Sequence, residues 1–175
     1  METKTISMIR HPLEVVWTAM RDHLPEIAVN VDDVESVRLE SRTETADGST
    51  IITNIWQARP KLPALLAARL KPEMFRWTDR AEWSQRDHTC RWQIDPHYFG
   101  GRIACHGSTR YDPAMGGRGT RLTFTSEFRL GQNGKPGALE DVVLRGAESL
   151  LQGLIPKNFQ KIVTALTAQL DSASR

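Results

Sequence analysis

Toward the C-terminus, apolar residues recur every three or four positions. Leu139, Val142, Val143, Leu150, Leu151 and Leu154 form one stripe, and Phe159, Ile162, Val163, Leu166 and Leu170 continue it beyond Pro156. The spacing predicts a terminal helix of about thirty residues with one apolar face. Pro156 is expected to kink or break it, because proline lacks the backbone donor and crowds the preceding turn. A helix of that length has to bury its stripe, so the rest of the chain must supply a long apolar surface.

The preceding segments read as that surface. Residues 3–9 alternate as a strand, and Pro12 then stands where a first helical position tolerates it. Leu13, Val16, Trp17, Met20 and Leu24 share one face of the helix that follows, up to Pro25, and a short second helix runs through Ile27 and Val29. Residues 34–45 alternate strictly, with Val37, Leu39, Ser41 and Thr43 opposite Arg38, Glu40, Arg42 and Glu44, as in a half-solvated antiparallel strand. Asp47-Gly48 has hairpin-turn chemistry, and residues 49–58 form the returning strand. The Ala- and Leu-rich stretch 63–70 reads equally as a lid and as a connector over a sheet edge.

Strands over 75–85 and 89–95 place Trp77, Asp79, Ala81 and Trp83, then Cys90, Trp92 and Ile94, on their inner faces. The loop 96–101 leads into a strand over 103–111. The glycines at 116–119 turn the chain into a last strand over 120–130, where Leu122, Phe124, Ser126, Phe128 and Leu130 share a face. Helices at the two ends and strands between them imply an α+β arrangement, a curved antiparallel sheet of about seven strands wrapped around the long C-terminal helix. Where sheet and helix diverge, a cavity remains.

A length of 175 residues with 39% apolar and 25% charged side chains fits one folded domain spanning residues 1–175. Its 23 basic and 21 acidic residues are interleaved to a net charge of +2, which gives no nucleic-acid footprint despite a pI near 8.7. No apolar run approaches the length of a membrane span, and the opening METKTISMI lacks the blocks of a signal peptide. The expectation is a cytoplasmic protein without stable membrane insertion. Cys90 and Cys105, too few for a disulfide framework, are expected as reduced thiols.

The opening strand, the helix beginning at Pro12 with Trp17 inside it, the strand carrying Trp77 to Trp83 and the terminal amphipathic helix together resemble the SRPBCC superfamily of helix-grip proteins. That group contains START-related, Bet v 1-like and polyketide cyclase-like members. The likeness is one of element order over nearly the whole chain, without a short diagnostic motif. It implies a cavity between sheet and terminal helix that holds a lipid, isoprenoid or quinone, polyketide or other apolar molecule, and a fold that serves carriers and enzymes alike.

The residues placed toward that cavity are Trp56, Trp77, Asp79, Trp92, Phe124, Phe128, Leu150 and Leu154. The tryptophans offer flat apolar walls with one donor each, and most of their area is expected to serve packing. Asp79 is the most informative, because a carboxylate on the face of Trp77 and Trp83 needs a partner or shifts toward its neutral form. It would bond a ligand hydroxyl or move a proton, unless a bulge carries it to the wet end of its strand. His88, His97 and His106 are nine residues apart, a spacing foreign to zinc sites, and no metal is expected. His106, Arg110 and Asp112 read as a solvent face. No nucleophile elbow, Walker loop or dinucleotide fingerprint occurs, so no cofactor is expected.

The leading expectation is therefore binding or carriage of an apolar small molecule. The alternative is a polyketide cyclase or aromatase in which Asp79, with His106 or Tyr111, guides proton transfer. A third class is a protein-interaction module, and a homodimer joined through a sheet edge is compatible with the pattern.

Overall fold

The computed structural model describes residues 2–59, 71–98, 103–130 and 138–174, with the side chains of Glu2, Leu130 and residues 138–154 left aside. Strand β1 (Glu2–Ile9) leads into helices α1 (Leu13–Asp22) and α2 (Leu24–Ala28). The strands β2 (Val34–Glu44), β3 (Ser49–Ala58), β4 (Arg76–Ser84), β5 (Thr89–Pro96), β6 (Ile103–Ala114) and β7 (Gly119–Leu130) follow, and α3 (Ala138–Ala173) closes the chain. All seven strands join one antiparallel sheet in the order β1-β7-β6-β5-β4-β3-β2. The sheet is curved, and α3 packs against β1, β7 and α2.

The stripe of α3 does what its spacing requires. Phe159, Ile162, Val163 and Leu166 are buried, and Phe159 stacks on Phe124 of β7 with ring centroids 4.3 Å apart. Toward the C-terminal end, Asp171 accepts a hydrogen bond from His11 at 2.8 Å, while Gln160 donates to the Ser7 hydroxyl of β1 at 2.9 Å. The helix is longer than expected, at 36 residues, and Pro156 does not break it. The contacts that bury the following turns outweigh the one backbone hydrogen bond that proline removes.

At the other end of the core, Trp17 of α1 is 1% exposed and stands edge-on to Trp83, Tyr111 and His88, with centroids 5.1, 5.1 and 5.2 Å away. Its indole N–H donates to Gln85 Oε1 at 2.7 Å, and Glu14 and His88 close the same polar cluster at 2.8 Å. This ties α1 to the β4–β5 turn. The break between α1 and α2 falls at His23, two residues ahead of Pro25, because proline has no N–H to offer the carbonyl four residues back and crowds that turn, yet is well tolerated in the first turn of a new helix.

Two expectations need correction. Strand β2 is exposed along almost its whole length, Leu39 included at 51%, and is not half-buried. It is the edge strand, and register shifts between Val34 and Ser36 and between Leu39 and Ser41 break the alternation that the sequence shows. Phe75 does not belong to β4. It ends a short 3₁₀ turn, Pro72–Phe75, whose Pro72 carbonyl accepts from Gln57 at 2.8 Å. The stretch 63–70, weighed above as lid or connector, lies outside the described residues. Among the described residues no helix is long and apolar enough to cross a membrane.

Gly107 is where the sheet admits no side chain. It pairs with Trp92, and a Cβ there would stand 2.0 Å from the Thr125 carbonyl and 2.5 Å from the Trp92 ring. Its absence lets the indole lie flat over β6 and stack on Phe124 at 5.2 Å. Gly107→Ala is expected to cost about 3 kcal/mol or more in urea unfolding, by backbone displacement as well as overpacking. A loss below about 0.5 kcal/mol would show that the close approach is not needed.

Candidate functional site

The inner faces of β3 to β7 converge with α1, α2 and α3 on a cavity of about 170 Å³. On β3, positions 50, 52, 54, 56 and 58 point inward, which settles the direction of Trp56. It is 9% exposed and stacks on Trp77 of β4 with centroids 5.7 Å apart and planes 11° from parallel. Trp92 and Phe124 form a second stacked pair on the neighbouring wall. The roof comes from Met20, Leu24 and Val31 near the N-terminal helices and from Ile155, Phe159 and Ile162 of α3.

Of the residues placed toward the cavity by sequence, Trp56, Trp77, Asp79, Trp92 and Phe124 line it. Phe128 does not. It is buried with Ile103 and Cys105 in a satellite cluster beneath Ile94 and Ile155, because β7 has by then passed the end of the cavity. The side chains of Leu150 and Leu154 lie outside the described residues. His106, offered as a proton-transfer partner of Asp79, is on the outer face of β6 and pairs with Glu127 at 3.2 Å. Arg110 and Asp112 pair with each other at 2.9 Å on that same outer face. Tyr111, by contrast, is 2% exposed and lines the cavity.

Sequence reasoning passed over Asn54, Phe159 and Asn158, which also line the cavity. The signal for Asn54 was present: it is a polar residue at an inward position between Ile52 and Trp56, the same logic that singled out Asp79. The two are register partners across β3 and β4, and Asn54 is 3% exposed. Among the described residues its Oδ1 has no hydrogen-bond partner, nor do Trp56 Nε1, Trp92 Nε1 and Asn158 Oδ1. Unpaired buried polar atoms are rare in folded proteins, and here they gather around one space.

Asp79 sits among these groups with no ion pair or hydrogen bond of ordinary geometry from the described residues. Burial raises its carboxyl from 3.8 to about 7, opposed by the nearby Trp56 indole N–H, which favours the charged form without meeting hydrogen-bond geometry. Asp22 shows the contrast: hydrogen bonds from Arg21 and then Arg42, working against desolvation, hold it down at about 2. Burial also pushes the Cys90 thiol and the Tyr111 hydroxyl up, so both remain neutral hydrogen-bonding groups near pH 7. Cys105 is likewise driven up to about 12 by burial, and both cysteines are free thiols. Among the described residues the cavity thus holds one group, Asp79, raised toward neutrality and no activated nucleophile. Among the described residues, no three His, Cys, Asp or Glu side chains converge as metal ligands.

No family model matches the sequence, and no curated protein is detectably similar to it. Solved structures match closely in shape. The Thermus thermophilus protein TTHA0849 superposes with a TM-score of 0.69 at 21% identity over 100% of both chains. The Zhui aromatase/cyclase of a Streptomyces species gives 0.67 at 14% identity, over 100% of this chain and 96% of that one. Norcoclaurine synthase from Thalictrum flavum, in complex with dopamine and hydroxybenzaldehyde, gives 0.61 at 11% identity, over 98% of this chain and 87% of that one. The chain has the helix-grip fold of these structures. At these identities the likeness carries the architecture and leaves the residues of the cavity to be argued from this structure.

The raised carboxyl has a consequence for stability. Folded protein keeps on Asp79 a proton that the unfolded chain releases between about pH 4 and 7, so stability falls as pH rises through that window and the full penalty applies above it. Asp79→Asn removes the penalty. Its stability relative to the unsubstituted protein is expected to be about 2 to 3 kcal/mol more favourable at pH 8 than at pH 5, measured by denaturant unfolding at both. Equal differences at the two pH values would mean that Asp79 is solvated.

Proposed function

We propose that the protein binds a small, largely apolar and aromatic molecule in the cavity between its sheet and α3. The observation that supports this most is the pairing of two stacked aromatic walls with buried polar atoms that no group of the described residues satisfies. A space serving only as core would close over apolar side chains and keep its polar groups paired. The fold points the same way, since structures of the same architecture include an aromatase/cyclase and a synthase holding two aromatic compounds.

A second reading is a cyclase- or aromatase-like reaction on such a molecule. It is favoured by Asp79, whose carboxyl is raised to about 7 by desolvation, in register with Asn54 and in a cavity that Tyr111 also lines. His106 has no part in it. Carriage needs only the walls, while catalysis needs Asp79, so substitution of that residue separates them.

Native mass spectrometry of freshly purified protein, with thermal unfolding against a panel of naphthalenes, quinones and fatty acids, tests the binding function. A retained stoichiometric adduct, or a ligand present at a hundredfold over its Kd, is expected to raise the unfolding temperature by about 5 to 10 °C. A clean apo mass together with no shift for any member of the panel would contradict it.

A further inference from the structure

The wall of the cavity on β3 to β5 has a definite hydrogen-bonding pattern. Asn54 on β3 presents an unpaired carbonyl oxygen in a residue 3% exposed, and Trp56 and Trp92 present unpaired indole N–H donors from β3 and β5. Asp79 on β4 stands between them, in register with Asn54 on one side and Ile94 of β5 on the other. Three adjacent strands therefore offer acceptors and donors side by side on one wall, where Asn54 Oδ1 and the two indole N–H groups meet no hydrogen-bond partner of ordinary geometry among the described residues.

Trp56 lies with one face against Trp77 and Trp92 with one face against Phe124, each pair within 13° of parallel, and both indoles leave their N–H edge unmatched among the described residues. A cation placed at that edge would meet two N–H groups of like polarity. A neutral group that both donates and accepts fits better.

We propose that this edge reads a neutral hydroxyl, phenolic, enolic or alcoholic, on an otherwise aromatic ligand, with the ligand O–H donating to Asn54 Oδ1 and its oxygen accepting from an indole N–H. This rests on the binding function proposed above and adds to it the chemical class of the head group and the residue that selects it. Asn54 is the selecting residue, because a ligand with an apolar group in the same place leaves its amide oxygen unpaired. Asp79, neutral or ionised, supplies the neighbouring donor or acceptor. The unpaired groups penalise an apolar isostere far more than extra contact area can repay, which is how a small pocket discriminates between molecules of equal shape.

The test compares 2-naphthol with 2-methylnaphthalene, which differ by a hydroxyl for a methyl, by tryptophan quenching and calorimetry on the full chain. 2-Naphthol is expected to bind about tenfold more tightly or better, and Asn54→Leu is expected to bring the two within about twofold while leaving the affinity for 2-methylnaphthalene unreduced. Thermal unfolding verifies that the variant folds. Asn54→Ser, which keeps a polar group but withdraws it from the ligand, is expected to lose most of the preference as well. Equal binding of the two compounds by the unsubstituted protein would overturn the head-group assignment and leave the binding function standing. Tighter binding of 2-naphthylmethylamine than of 2-naphthol would overturn its neutral character. Binding of neither naphthalene would overturn this inference, and the binding function falls with it only if no other member of the panel binds and the purified protein carries no adduct.

Discussion

The contact between Phe159 and Phe124 joins the two halves of the molecule. The sheet is built from antiparallel neighbours and could close its concave face only by collapsing on itself, while α3 carries an apolar stripe that water disfavours. Docking Phe159, Ile162, Val163 and Leu166 onto β7 and its neighbours satisfies both. It also sets the spacing between helix and sheet, since two stacked rings hold α3 at a fixed height above β7. What lies on the far side of that contact, toward β3 and β4, is left at a height that the local side chains do not fill.

That geometry explains why the cavity occurs where it does and why its walls are aromatic. Large flat rings cover area with little conformational freedom, so Trp56, Trp77 and Trp92 line the curved sheet without needing a partner on the helix side. Gly107 makes the arrangement feasible by letting Trp92 lie down on β6. The core at the other end, around Trp17, Trp83 and Tyr111, is packed edge-to-face and anchored by Gln85, so α1 and the β4–β5 turn form a firm floor. The stability gained at these two contacts tolerates the cost of leaving Asn54 Oδ1 without a partner among the described residues and Asp79 partly desolvated.

Much of this was legible in the sequence because period-two and helical patterns report burial directly. The alternation of Trp77, Asp79, Ala81 and Trp83 placed a carboxylate on an inner face, and the structure lines the cavity with it. Asn54 followed from the same rule but was hidden by Ile51 and Ile55, which make both faces of β3 look apolar. The exposure of β2 was not legible, since bulges change which residues face inward without changing the sequence alternation. Nor was the place of Phe128. A strand's pattern says which face a residue occupies, and says nothing of how far along that face the helix and cavity extend. The continuity of α3 through Pro156 was likewise decided by packing, which local propensity does not contain.

The most direct test is a carbon-13 NMR titration of the Asp79 carboxyl, assigned with Asp79→Asn. A half-buried carboxyl set among aromatic walls, with no ion pair from the described residues, is predicted to titrate with a midpoint near 7. A midpoint near the ordinary value of about 4 would show that water reaches Asp79 freely, and the account of a desolvated aromatic cavity with a polar reading edge would be wrong.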